Sequence, residues 1–187
     1  MLKEMSIKLS PQLSFGEELA NSITHAVGAL LMLILLPITA VYSHNHFGLQ
    51  AALGTSIFVT SLFLMFLSSS IYHSMTYSSL QKYVLRMIDH SMIYIAIAGS
   101  YTPVALSLIG GWLGYLIIFL QWGITLFGIL YKIFAPKIND KFSLVLYLIM
   151  GWLVIFIFPA IITKTGPAFW GLLLAGGICY TIGALFY

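Results

Sequence analysis

FSLVLYLIMGWLVIFIFPAIIT, residues 142–163, contains no Asp, Glu, Lys, Arg or His. A helix rises about 1.5 Å per residue, so this stretch is long enough to cross the roughly 30 Å hydrocarbon core of a bilayer. Read outward between charged or turn-rich breaks, the rest of the chain repeats the pattern. The apolar segments are approximately 19–42, 49–75, 83–107, 111–132, 142–163 and 167–187, which predicts an all-α, polytopic transmembrane bundle with six spans. Short links separate them, around His44 to Gly48, Thr76 to Lys82, Leu108 to Gly110, Ala135 to Lys141 and Lys164 to Gly166. The organisation expected is an N-terminal segment, 1–17, followed by a single transmembrane domain, 18–187.

Composition supports a bilayer as the main solvent. Of 187 residues 60% are apolar and 7% charged, against about 25% charged in soluble domains. The 8 Lys and Arg are dispersed between apolar runs, which argues against a nucleic-acid partner and makes them markers of orientation. Lys3, Lys8, Lys82, Arg86, Lys132, Lys137 and Lys141 fall on one side of the predicted spans, and Lys164 alone on the other. Short loops rich in Lys and Arg stay in the cytoplasm, so the N-terminus is expected there. The first 17 residues lack the order of a cleavable signal peptide, so the first span is expected to be retained. Cys179, the single cysteine, excludes an intrachain disulfide and an all-cysteine metal site.

Ionisable groups within a span cost about 2.5–3.5 kcal/mol at the bilayer centre, so each calls for a partner, a cavity or a function. Glu18, Asn21, Ser22 and His25 follow i, i+3, i+4, i+7 spacing and share one face at the start of span one. Ser69 and His73 share a face near the end of span two, and Arg86, Asp89 and His90 open span three. With alternating spans, all three groups meet at the membrane level on the N-terminal side. Two readings follow. In one, Arg86 pairs with Asp89 and the histidines hydrogen-bond across helices as ordinary interfacial polar groups. In the other, neutral imidazoles and a carboxylate form a metal or acid–base site open to the cytoplasm. His44 and His46 lie in a short outer link and read as loop residues. Trp112 and Trp170 read as interfacial anchors, Trp122 and Trp152 as packing residues. Pro103 and Pro159 are expected to kink spans three and five, and most glycines to permit close helix contact.

Several strings in one order resemble the haemolysin III branch of the seven-helix superfamily that includes the progestin and adipoQ receptors. They are EELANSITHAVG (17–28), SSSIYHS (68–74), RMIDHSMIYIAIAGSYTP (86–103) and GGICYTIGALFY (176–187). The resemblance implies a seven-helix fold in a bacterial inner membrane and a zinc ion near the cytoplasmic face. In the superfamily that ion is held by one histidine of helix two and two of helix seven, with a serine and a water-linked aspartate assisting. Carried over by position, His73 is the helix-two ligand, Asp89 the aspartate acting through water, and Ser69 the serine; Glu18, Asn21, Thr24 and His25 match the helix-one pattern. The chain stops at Tyr187 without the seventh span or its two histidines, and so looks cut short.

The resemblance implies a zinc-dependent hydrolase of a membrane-lipid amide or ester, as in the ceramidase-like enzymes. Asp89 would then orient or deprotonate the zinc-bound water and Ser69 would support the oxyanion. A non-enzymatic membrane-homeostasis or sensor protein using zinc as a clamp is the first alternative. The second is the cytolytic, pore-forming activity in the family name, although spans four to six carry almost no ionisable residue in their cores.

Overall fold

A computed structural model describes residues 12–77, 79–135 and 139–184. Every regular element among them is helical, and six helical segments are long and apolar enough to cross a membrane. The elements are α1 (Phe15–Phe47), α2 (Leu49–His73), α3 (Leu80–Pro103), α4 (Gly111–Phe134), α5 (Asp140–Trp152), α6 (Val154–Ile161) and α7 (Pro167–Ala184). A π-helical turn, Val104–Ile109, extends α3, and α5, α6 and a 3₁₀ turn at Ile162–Lys164 together make one span. Lys3, Lys8, Lys137 and the closing Leu185, Phe186 and Tyr187 lie outside the described residues.

The helix boundaries follow local chemistry. Ser14 and Glu17 form a reciprocal capping box: the Ser14 hydroxyl accepts from the Glu17 amide at 3.3 Å and Glu17 Oε2 accepts from the Ser14 amide at 2.7 Å. α1 therefore begins at Phe15, slightly before the span read from hydropathy. Gly48 alone joins α1 to α2, at φ 84°, a left-handed conformation that favours glycine. Ser79 caps α3 and Asn139 caps α5 through backbone amides of the first turn.

Span three does not simply kink at Pro103. The chain widens after it, with the Gly110 amide reaching back five residues to the Ala105 carbonyl at 2.9 Å. The ammonium of Lys164 then caps that turn, donating to the Leu108 carbonyl at 2.7 Å. Span five is also interrupted, at Leu153 rather than at Pro159, which stays within α6. Tyr101 bridges this gap: its hydroxyl donates to the Gly151 carbonyl at 2.7 Å and accepts from the Val154 amide at 2.8 Å. In a lipid solvent such backbone groups have no water to turn to, so a side chain must serve them.

The core lies between α3, α4, α5 and α6, around the fully buried Tyr94, Ala98, Met150 and Ile161. Close approach there depends on small residues. A methyl group on Gly54 would lie 2.7 Å from the Pro103 backbone, so α2 and α3 touch at a glycine. Trp122 and Trp152 are tied inward, donating to the Thr102 and Thr181 hydroxyls at 3.2 and 3.1 Å, whereas Trp112 is exposed. α7 contributes no buried residue, and the outward faces of α1, α2 and α4 are apolar. The bundle therefore holds its polar contacts inside and presents hydrocarbon to the lipid.

Candidate functional site at the N-terminal side of the bundle

The beginning of α1, the end of α2 and the beginning of α3 meet on one side of the membrane. In the first part of α1, from Phe15 to Val27, Glu18, Asn21, Ser22 and His25 are the half-buried positions, while Leu19, Ala20, Ile23 and Thr24 face outward. The helical spacing read from the sequence thus describes a face turned toward α2. Serines stitch the two helices there. Ser22 donates to the Ser70 carbonyl at 3.1 Å, Ser70 donates to the Ser22 carbonyl at 2.9 Å, and the Ser22 and Ser74 hydroxyls lie 2.8 Å apart.

Glu18 is the hub. Its Oε2 accepts from His73 Nδ1 at 2.7 Å, and its Oε1 accepts from the Lys82 ammonium. The three side chains are 17%, 14% and 5% exposed respectively, so both interactions are largely withdrawn from solvent. Lys82 also reaches the Met75 carbonyl at 3.3 Å and sits 4.9 Å from the centre of the Tyr72 ring. Lys82 was legible in the sequence only as a topological charge. Its place at the opening of span three, opposite an acid at the opening of span one, was the available signal.

The hydrogen bonds settle which ring nitrogen carries the proton. A carbonyl can only accept, so the 2.7 Å contact from His25 Nδ1 to the Asn21 carbonyl puts the proton on Nδ1. The carboxylate of Glu18 does the same for His73. Nε2 of each ring is left for other chemistry, and the ring centres are 6.0 Å apart. Asp89 completes the group from α3, its carboxylate facing the Ser69 hydroxyl within the electrostatic reach of His73 and His25.

Arg86 and His90 belong elsewhere. The Arg86–Asp89 pair expected from their spacing does not form; Arg86 Nη2 instead lies 3.7 Å from Asp140 Oδ2 on α5. His90 is next to Asp89 in sequence but faces Arg86 and Lys132. Neighbouring residues on a helix are about 100° apart, so Asp89 and His90 serve different neighbours.

A family model described as Haemolysin-III related matches residues 13–187. The chain belongs to the haemolysin III family. Hemolysin-3 homolog of Bacillus subtilis (strain 168) is 39% identical over 171 residues, which cover 91% of this chain and 80% of that protein. Hemolysin-3 of Bacillus cereus is 40% identical over 172 residues, covering 91% of this chain and 78% of that protein. No solved structure matches.

The zinc expectation can be weighed against this haemolysin III site. Two imidazoles with Nε2 available and a carboxylate are the right donor types. Among the described residues, however, no three His, Cys, Asp or Glu side chains are placed to hold a metal ion together. The described residues do not by themselves fit zinc. The chemistry below is accordingly derived from the side chains alone.

Proposed function

We propose that this haemolysin III protein is a membrane hydrolase of lipid esters or amides, with His73 as a carboxylate-oriented general base. The observation carrying this reading is the 2.7 Å contact between His73 Nδ1 and Glu18 Oε2. A base held by hydrogen bonding to a third group is the arrangement that sustains proton transfer in many acyl-transfer enzymes. Lys82 sets a cation beside the Glu18 carboxylate, and Glu18 in turn stabilises the imidazolium that forms on His73.

In the proposed step, His73 Nε2 removes a proton from water as its oxygen attacks the acyl carbon. Asp89 orients that water, and the Ser69 hydroxyl donates to the developing oxyanion. Collapse of the tetrahedral intermediate expels the alcohol or amine, which takes the proton back from His73. The products are a fatty acid and the freed headgroup fragment. The substrate enters from the bilayer, consistent with a site at one edge of the spans rather than in a soluble domain.

The relatives' name points to cytolysis. The polar groups described above gather at one end of α1, α2 and α3, whereas a pore lining runs along the length of its helices. That distribution favours the localised site.

The test is fatty-acid release from a panel of lipid esters and amides by the protein reconstituted in vesicles. The wild-type protein should turn over at least one substrate class, and His73→Gln should lower the rate by about 10²–10⁴, the usual contribution of a general base. No release from any class, or full activity in His73→Gln, refutes the assignment. Zinc content measured on the same preparations reports separately on the metal reading.

A further inference from the structure

Toward the opposite side of the bundle from the Glu18–His73 cluster, α3, α5, α6 and α7 leave a cavity of about 590 Å³ between them, within the size range of ligand sites. Its wall runs from Gly151 to Ile161 along span five and from Phe169 to Tyr180 along α7. At the helical rise both stretches measure about 15 Å, half the thickness of a bilayer's hydrocarbon core. Its outer end is framed by Phe158, Phe169 and Trp170, the first two rings standing 4.5 and 5.4 Å from the third, centre to centre. Its inner end is closed where the Tyr180 ring lies against Gly151, so tightly that a methyl group on Gly151 would sit 2.7 Å from it. Ile155 on α6 and Leu172 on α7 line the cavity and are 59% and 76% exposed, so it opens sideways to the lipid between those helices.

The wall limits what the cavity accepts. Among the described residues no charged side chain lines it. Its polar side chains are turned inward: the Ser100 hydroxyl donates to the Ile97 carbonyl at 2.7 Å, the Tyr101 hydroxyl serves the break in span five, and the Trp152 indole donates to the Thr181 hydroxyl. Trp170 Nε1 and the Tyr180 hydroxyl are enclosed by protein atoms, out of reach of a guest. What remains is mainly aliphatic surface and ring faces. A charged or strongly hydrogen-bonding guest would lose its own partners there without gaining new ones. A hydrocarbon chain loses nothing. In lipid no hydrophobic force draws helices together to close such a gap, and a chain lying in it gives the lining atoms their dispersion contacts.

We infer that this cavity holds one acyl chain of a membrane lipid, drawn from the leaflet opposite the N-terminal side and entering between α6 and α7. Its length matches the depth of one leaflet, and its neutral, apolar wall matches a hydrocarbon chain. The chain is recognised by its length and shape, and the headgroup stays outside. The site lies in the other half of the membrane from the Glu18–His73 cluster and does not depend on the hydrolase reading.

The experiment reads tryptophan fluorescence of the full chain in detergent micelles, because Trp152 and Trp170 line the cavity and bromine on a neighbouring chain quenches indole emission on contact. Trp112, exposed on α4, is replaced by Phe throughout to remove the signal from surrounding lipid. Titration with phosphatidylcholine carrying brominated chains of leaflet length should quench in a saturable step near one lipid per protein. Brominated phosphatidylglycerol should do the same, and chains of half that length should not. Gly176→Leu adds a side chain at a wall position where a Cβ meets nothing within 4 Å, so the fold accommodates it, and it should abolish the step. Quenching that rises without saturation, and equally in Gly176→Leu, reports surrounding lipid only and overturns the site. A step that follows the headgroup instead of the chain length also overturns it. Self-association that is lost in Gly176→Leu, with no lipid retained, assigns the face to a second copy instead. Should Gly176→Leu fail to fold, saturation and chain-length dependence decide the matter alone.

Discussion

Replacing Glu18 by Gln removes one charge and keeps the size and shape of the side chain, so it isolates the electrostatic part of the hub. Two effects follow. The Lys82 side chain, 5% exposed, loses its anionic partner, and its ammonium keeps the Met75 carbonyl and the face of Tyr72. His73 meanwhile loses the carboxylate that fixes its ring. Removing one member of a buried ion pair costs about 3–5 kcal/mol. The residual contact with Tyr72 offsets about 1 kcal/mol of this. The expected destabilisation is therefore about 2–4 kcal/mol, roughly a 30- to 1,000-fold change in the unfolding equilibrium.

The companion change, Lys82→Met, fills similar volume without a charge. It leaves Glu18 bound to His73 and should cost less than Glu18→Gln. The double variant has no stranded ammonium and should be more stable than Glu18→Gln alone. Reversible unfolding in mixed micelles, followed by tryptophan fluorescence, measures all four states. A loss below about 0.5 kcal/mol for Glu18→Gln, or strictly additive single changes, would falsify the hub, because residues in contact should couple by about 0.5–3 kcal/mol.

Tyr101→Phe should destabilise by about 2–4 kcal/mol, since it strands a carbonyl and an amide at the break in span five; a loss under about 0.5 kcal/mol in the same assay contradicts the bridging role. Gly54→Ala should cost about 1–3 kcal/mol by pushing α2 off the Pro103 backbone, whereas Gly123→Ala, with open space around it, should be nearly neutral. Orientation is testable by cysteine labelling after Cys179, which is free and exposed, is replaced by Ser. Thr76→Cys should resist a membrane-impermeant maleimide in intact cells and His44→Cys should react; the reverse pattern inverts the topology inferred from Lys and Arg placement.

Much of the candidate site was legible because helical spacing and membrane topology are both one-dimensional properties. Apolar run length sets where a helix crosses, and spacing by three and four sets which side chains share its face. Glu18, Asn21, Ser22 and His25 could thus be assigned to one face, and Ser69, His73 and Asp89 to the same level, before any contact was known. Partner choice was less accessible. Arg86 and Asp89 lie one turn apart, yet Arg86 turns to Asp140, 54 residues away along the chain but adjacent once α3 and α5 pack. Lys82 and Lys132 read only as topological markers, because burial of a long cationic side chain depends on what packs over it. Pro159 was the visible reason to interrupt span five, but the interruption falls at Leu153, where Tyr101 can stabilise the exposed backbone groups.

The sequence by itself determined that the chain is an all-helical membrane protein, how many segments cross, and which polar residues share the N-terminal level, because a lipid solvent demands long apolar helices and makes every internal polar group conspicuous. Only the tertiary structure decided that Glu18 joins His73 to Lys82, that Asp89 and His90 face different clusters, and that Tyr101 bridges a broken span. Hydrogen bonds and ion pairs have ranges of a few ångströms, and which groups come that close is set by how the helices pack.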